Sequence, residues 1–268
     1  MRPAAPFLIA LLLGGALPAD ATTYVYPLKV SSNGRYLVDQ NGTPFRTQGD
    51  AAWSLVANLT YAEADAYLTN RAAKGFNTVN VSLLEHKFAV GAPANRRGDL
   101  PFTSPGDFST PNEAYFAFAD SVIDLAAAKG MVVQLSYMYL GYGGGDEGWW
   151  GELNDSRNTR AVCFAFGQYL GNRYRGRANI VWVAGGDFAA PAGSEGEARL
   201  HRILEGIQAA GATQLHVAHW AAPCLSTDVA AFAADMDANA VYSYGNPSDG
   251  HTYVWGRNGY NRAPTLPA

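Results

Sequence analysis

The run Asn179-Ile-Val-Trp-Val-Ala-Gly-Gly-Asp187 sets a carboxylate directly after a short apolar stretch and two glycines. Ile180 to Ala184 has the apolar, β-branched character of a strand buried in a parallel sheet. Gly185 and Gly186 permit a sharp turn and leave room for a ligand beside Asp187. Catalytic groups of α/β barrels stand at such strand ends. An Asp that only caps a loop is the commoner occupant of strand ends at large, so the rest of the chain must decide.

Other strand ends deliver polar or aromatic groups in step with Asp187. They are Asp50 and Trp53, Glu85 and His86, Tyr137 and Tyr139, His219 and Trp220, and Tyr242 and Tyr244. One such residue is uninformative; a whole set implies a lined pocket on one face. Flat rings stack on the C–H faces of a sugar, and carboxylates and imidazoles bind its hydroxyls. Glycosidic cleavage needs two carboxyl groups, and Asp187 is the natural proton donor. The loop from Tyr139 to Asp155 adds Trp149 and Trp150, set among glycines and acids that make a poor core. The expected binding set is therefore Asp50, Trp53, Glu85, His86, Tyr137, Trp149, Trp150, His219 and Tyr244. Duller roles stand beside these: Trp53 as a packing anchor, His86 and His219 as core histidines, Asp50 as a loop cap.

The elements that must hold these groups alternate. Residues 22–44 read as an N-terminal β-hairpin, with Asn41-Gly-Thr-Pro44 as its tight turn. Strands are expected at 45–49, 78–84, 131–137, 180–184, 215–218 and 240–244. Helices fall between them, opened by the capping boxes Thr60-Tyr-Ala-Glu63 and Thr110-Pro-Asn-Glu113. Alternating β and α segments give a parallel sheet. No GxGxxG follows the first strand, so an eight-fold (β/α)8 barrel fits better than an open nucleotide-binding sheet. Residues 45–268 supply about six of its eight strands, and Pro264 to Ala268 reads as the approach to a seventh.

Composition narrows the partners. Arg2, the apolar run Phe7–Leu17 and Ala19-Asp20-Ala21 read as a signal peptide over residues 1–21, cleaved to leave a secreted or periplasmic protein. The apolar run is too short to span a bilayer and no Cys follows it, so no membrane anchor is expected. A net charge of −4 without a Lys/Arg cluster argues against nucleic acid and favours a neutral carbohydrate. Cys163 and Cys224 read as two buried free thiols. No CxxC, HxxxH or His-x-His spacing occurs, so neither a metal nor another cofactor is expected. Gly185-Gly186-Asp187-Phe188 lacks the further acid that a cyclic-dinucleotide synthase would need.

With these residues placed, the chain resembles the apiosidase-like glycoside hydrolases. The stretches that carry the likeness are Gly49-Asp-Ala-Ala-Trp-Ser54, Arg71-Ala-Ala-Lys-Gly-Phe-Asn77, Leu84-Glu-His-Lys-Phe88, Pro111-Asn-Glu-Ala-Tyr-Phe116, Tyr139-Leu-Gly-Tyr-Gly-Gly144 and Asn179 to Asp187. The resemblance implies an α/β barrel, secretion, and hydrolysis of plant or microbial glycans with Asp187 as the carboxylate after strand four. It also implies a second catalytic glutamate at the end of strand seven, a position that residues up to Ala268 do not reach. The chain is therefore expected to be a fragment, inactive by itself. The rival expectations are a carbohydrate-binding pseudoenzyme and a non-functional gene fragment.

Overall fold

The computed structural model describes residues 23–245 and 251–268; the expected leader at 1–21 lies outside them. The N-terminal segment forms a three-stranded antiparallel sheet of β1 (Lys29–Val30), β2 (Leu37–Val38) and β3 (Pro44–Phe45). Asp39 closes its turn, accepting backbone N–H groups from Val25, Asn41 and Thr43. The sheet thus gains a third strand beyond the expected hairpin. Phe45, expected to open the barrel, belongs to that strand instead.

The barrel strands are β4 (Gly49–Ala51), β5 (Thr78–Ser82), β6 (Val132–Ser136), β7 (Ile180–Gly185) and β8 (His216–His219), parallel and in that order. Between them run α1 (Leu55–Asn58), α2 (Tyr61–Ala73), α3 (Glu113–Ala128), α4 (Trp150–Leu153), α5 (Arg160–Tyr174) and α6 (Glu195–Ala209). Thr60 and Glu63 make the expected capping box of α2. Before α3 the cap is Asn112, whose side chain accepts from the Ala114 N–H. The helix therefore begins two residues later than a Thr110 cap would give, because the Pro111 backbone is taken into a bridge with Phe102.

A sixth parallel strand over 240–244 does not form. The segment yields β10 (Val241–Tyr242), antiparallel to β9 (Cys224–Leu225) and outside the five-stranded sheet. Ser226 explains the difference. Its Oγ accepts from the N–H groups of Ala218 and Ala240 and donates to the Ala218 carbonyl, taking bonds that a next strand would make with β8. Last comes α7 (Thr252–Asn261).

Strand alternation divides the core in two. Val79, Val81, Val133, Leu135 and Trp182 pack against the helices. On the other face Val132, Val181, Val183 and Val217 meet Leu28 and Phe45, so the N-terminal sheet floors the barrel. Asn80 and Gln134, paired across β5 and β6, sit above that floor on the same inner face. Cys163 and Cys224 are free and buried, and burial pushes the two thiols up to about 12 and about 11.

Candidate active site

A cavity of about 560 Å³ opens at the C-terminal ends of β5, β7 and β8. Its base is Asn80, Gln134, Val183 and Val217, the upper inner-face residues of four adjacent strands. One wall is aromatic. The His219 ring lies 5.6 Å from Trp53 and 4.1 Å from Tyr242, centroid to centroid. Burial lowers the pKa of His219, with the Asp187 charge opposing, so this wall carries a neutral imidazole at neutral pH.

Asp187 faces that wall from a strained turn. Gly185, Gly186 and Asp187 have φ of 80°, 130° and 51°, and Asp187 is the sole non-glycine with positive φ among the described residues. Such a conformation costs about 1–3 kcal/mol and persists where the surroundings impose it. Here they do: a Cβ on Gly186 would stand 2.3 Å from the Tyr139 ring, and one on Gly185 2.5 Å from Trp220. The Tyr139 hydroxyl donates to Asp187 Oδ2 at 3.0 Å, and the Tyr242 hydroxyl, paired with that of Tyr244, lies within the influence of the same carboxylate. Burial, reinforced by the Asp187 charge, raises the pKa of both phenols, so each keeps its proton and remains a donor.

Glu85 is the other carboxyl in the cavity. It is only 3% exposed, and neither carboxyl oxygen has a hydrogen-bond partner. Burial raises its pKa; the Ser54 hydroxyl and the Ala89 amide, which face it without closing a normal bond, offset part of that rise. His86 lies beside it and bonds Glu152 Oε1 through Nε2 at 2.8 Å. That bond raises the His86 pKa against the opposing effect of burial. Across His86 lies a smaller cavity of about 310 Å³, bordered by Phe102, Trp149, Glu152 and Arg157.

Residues 31–268 match the family model "Apiosidase-like, catalytic domain". The chain belongs to this family. Among solved structures, a protein titled glycoside hydrolase superimposes with a TM-score of 0.72 at 24% identity, over 92% of this chain and 57% of its own. A glycoside hydrolase family 5 protein from Bacteroides vulgatus gives 0.72 at 22% identity, over 92% and 54%. A family 5 mannosidase from Rhizomucor miehei gives 0.57 at 15%, over 81% and 61%. These likenesses establish the fold, that of barrel glycoside hydrolases. The chain spans little more than half the length of the first two. No curated protein matches the chain.

Of the residues expected in the apiosidase-like pocket, Trp53, Glu85, His86, Asp187 and His219 do line the cavity. Five others lie elsewhere. Tyr137 follows Leu135 on the helix-facing side of β6, is 0% exposed and packs on Trp182; two residues on, Tyr139 takes the cavity position. Asp50 is turned toward α2, where Tyr67 donates to Oδ2 at 2.8 Å and Arg71 pairs with it. Those contacts, the Tyr67 bond foremost, hold its carboxyl below the usual range. Trp149 is a core residue against Phe102 and His86, its indole N–H donating to the Leu84 carbonyl. Trp150 packs edge-on against Phe188 and so supports the Asp187 turn from behind. Tyr244 is 73% exposed beyond the rim, and Tyr242 occupies the place expected for it. Asn80 and Gln134 carried a readable signal, each a polar residue at the centre of an otherwise apolar strand. Among the described residues no cluster of His, Cys, Asp or Glu could hold a metal ion.

Proposed function

We propose that this chain binds a glycan in the cavity and that Asp187 is the proton donor for cleavage of a glycosidic bond. One observation carries the reading: Asp187, held by its backbone conformation and the Tyr139 hydroxyl, lines the same cavity as the Trp53–His219–Tyr242 wall. A sugar ring stacked on that wall would present its polar edge to Asp187. Membership of a family of glycan-cleaving domains supports the same substrate class. The leader expected at residues 1–21 suits a protein that meets its glycan outside the cytoplasm.

Leaving-group protonation and attack at the sugar carbon come from different sides of the ring. Asp50 and Glu147, acids on neighbouring strand-end loops, do not line the cavity. Asp50 is committed to Tyr67 and Arg71, and Glu147 accepts the Tyr142 N–H. The family resemblance assigns the second catalytic carboxyl to a glutamate after a seventh strand, and that assignment leaves Glu85 free for another task.

The test is Asp187→Asn in the form of the protein that turns glycan over. Turnover should fall by about 10²–10⁴-fold, the usual worth of a general acid. Affinity, followed by Trp53 fluorescence, should stay within a few-fold. Unchanged turnover removes Asp187 from the chemistry, and a silent Trp53 on saturation with hydrolysable glycan removes the cavity.

A further inference from the structure

Glu85 presents a feature that proton donation by Asp187 leaves unused. Its side chain is sealed into the cavity wall, yet both carboxyl oxygens lack a partner. Among the described residues no Lys, Arg or His forms an ion pair with it. Buried polar groups are satisfied in the great majority of cases, because an orphan keeps its full desolvation cost. Glu85 lines the cavity of about 560 Å³, so a molecule entering that cavity is the partner available to a carboxyl left so.

We propose that Glu85 is the specificity-determining residue of the site, hydrogen-bonding two neighbouring ring hydroxyls of the bound sugar, one on each carboxyl oxygen. This rests on the sugar-binding reading of the cavity. The two oxygens of one carboxyl match the spacing of adjacent hydroxyls on a ring. No cation stands beside it, burial raises its pKa, and each carboxyl oxygen is an acceptor for one hydroxyl of such a pair. An ionised nucleophile would need neighbours to hold its charge, and the described surroundings offer only the Ser54 hydroxyl and the Ala89 amide. A sugar lacking one of the two hydroxyls would leave a buried oxygen orphaned, which is the condition for strong discrimination.

The test uses the 268-residue chain and an array of neutral plant and microbial oligosaccharides. The best binder's terminal sugar is then compared, as its methyl glycoside, with its singly deoxygenated analogues by calorimetry. Glu85→Gln keeps a donor and an acceptor, and its affinity should remain within about threefold of wild type. Glu85→Ala should weaken binding on the order of 10- to 100-fold. Two adjacent deoxy analogues should bind worse than the parent to wild type but equally well to Glu85→Ala. Removing an orphaned buried carboxyl should leave thermal stability equal or higher, so that lost affinity is not lost fold.

Wild-type affinity in Glu85→Ala overturns the proposal. So does a Gln variant as weak as the Ala variant, since Gln keeps a donor and an acceptor at the same place. If wild type binds no oligosaccharide at all, the sugar reading of the cavity falls, and the role of Glu85 with it.

Discussion

At the scale of single residues, the site depends on backbone that only glycine can supply. Gly186 has a φ of 130°, and a Cβ there would meet the Tyr139 ring at 2.3 Å. Gly186→Ala should therefore displace Tyr139, break its bond to Asp187 and destabilise the turn by about 1–3 kcal/mol. Chemical denaturation and glycan titration would check this together; a variant matching wild type in both would show that the turn is not under constraint. The glycines before Asp187 were legible in the sequence as a sharp strand-to-loop transition, and so was the carboxylate. The partners of Asp187 were harder to choose. Tyr137 and Tyr139 both stand just past the end of β6, and a period of two would put both on one face. The chain leaves the strand after Ser136, so alternation fixes the place of Tyr137 but not that of Tyr139. Val133, Leu135 and Tyr137 share the helix-facing side, which sends Tyr137 into the core. Trp149 and Trp150 misled for a different reason. Their packing partners Phe102, Phe108 and Phe188 come from other loops, and loops carry no periodicity from which such contacts can be read.

At the scale of elements, the strand-end loops are tied to one another by charge as well as by packing. His86, after β5, meets Glu152 of α4 across the rim of the cavity. The Glu152 bond raises the His86 pKa above its ordinary 6.5. Burial and the His86 contact act in opposite senses on Glu152, and its pKa ends below the ordinary 4.5. A raised histidine stabilises the fold fully below its ordinary value and loses that contribution as pH rises through the raised one. A lowered glutamate stabilises above its ordinary value and loses that contribution as pH falls through the lowered one. The pair should therefore help most between 4.5 and 6.5. His86→Gln should cost more stability near pH 5.5 than near pH 9, on the order of the exposed-pair range of 0.2–1 kcal/mol. A difference independent of pH would mean that His86 acts by packing alone. Helix positions were readable from capping residues and glycine stops. The failure of strand six was not, because its cause is one serine, Ser226, reaching back to Ala218.

At the scale of the whole molecule, the N-terminal sheet is part of the barrel's architecture. Phe45 and Leu28 share one apolar cluster with Val132, Val181, Val183 and Val217 of the parallel strands. Tyr24 meets Phe45 edge-on with centroids 4.7 Å apart, and Tyr26 does so at 6.3 Å. Two of the cluster's valines, Val183 and Val217, also form the base of the cavity. The floor and the site therefore share residues, and loosening one should loosen the other. The sequence placed a boundary between residues 44 and 45, since Pro44 ends a turn and the first barrel strand was expected to open at Phe45. Local pattern cannot tell a strand that begins a barrel from one that plugs it, because both need an apolar face. Phe45→Ala distinguishes them in solution. If β3 is the floor, truncating a buried phenylalanine should cost about 3–5 kcal/mol in the single unfolding transition of the barrel. It should also weaken glycan binding, as the base of the cavity relaxes. If the N-terminal sheet were an appendage, denaturation would show a separate early transition while the main one kept its midpoint. Near-ultraviolet circular dichroism during urea unfolding, with glycan affinity measured in parallel, separates these outcomes. Loss of stability with affinity intact would disconnect the floor from the site and confine Phe45 to packing.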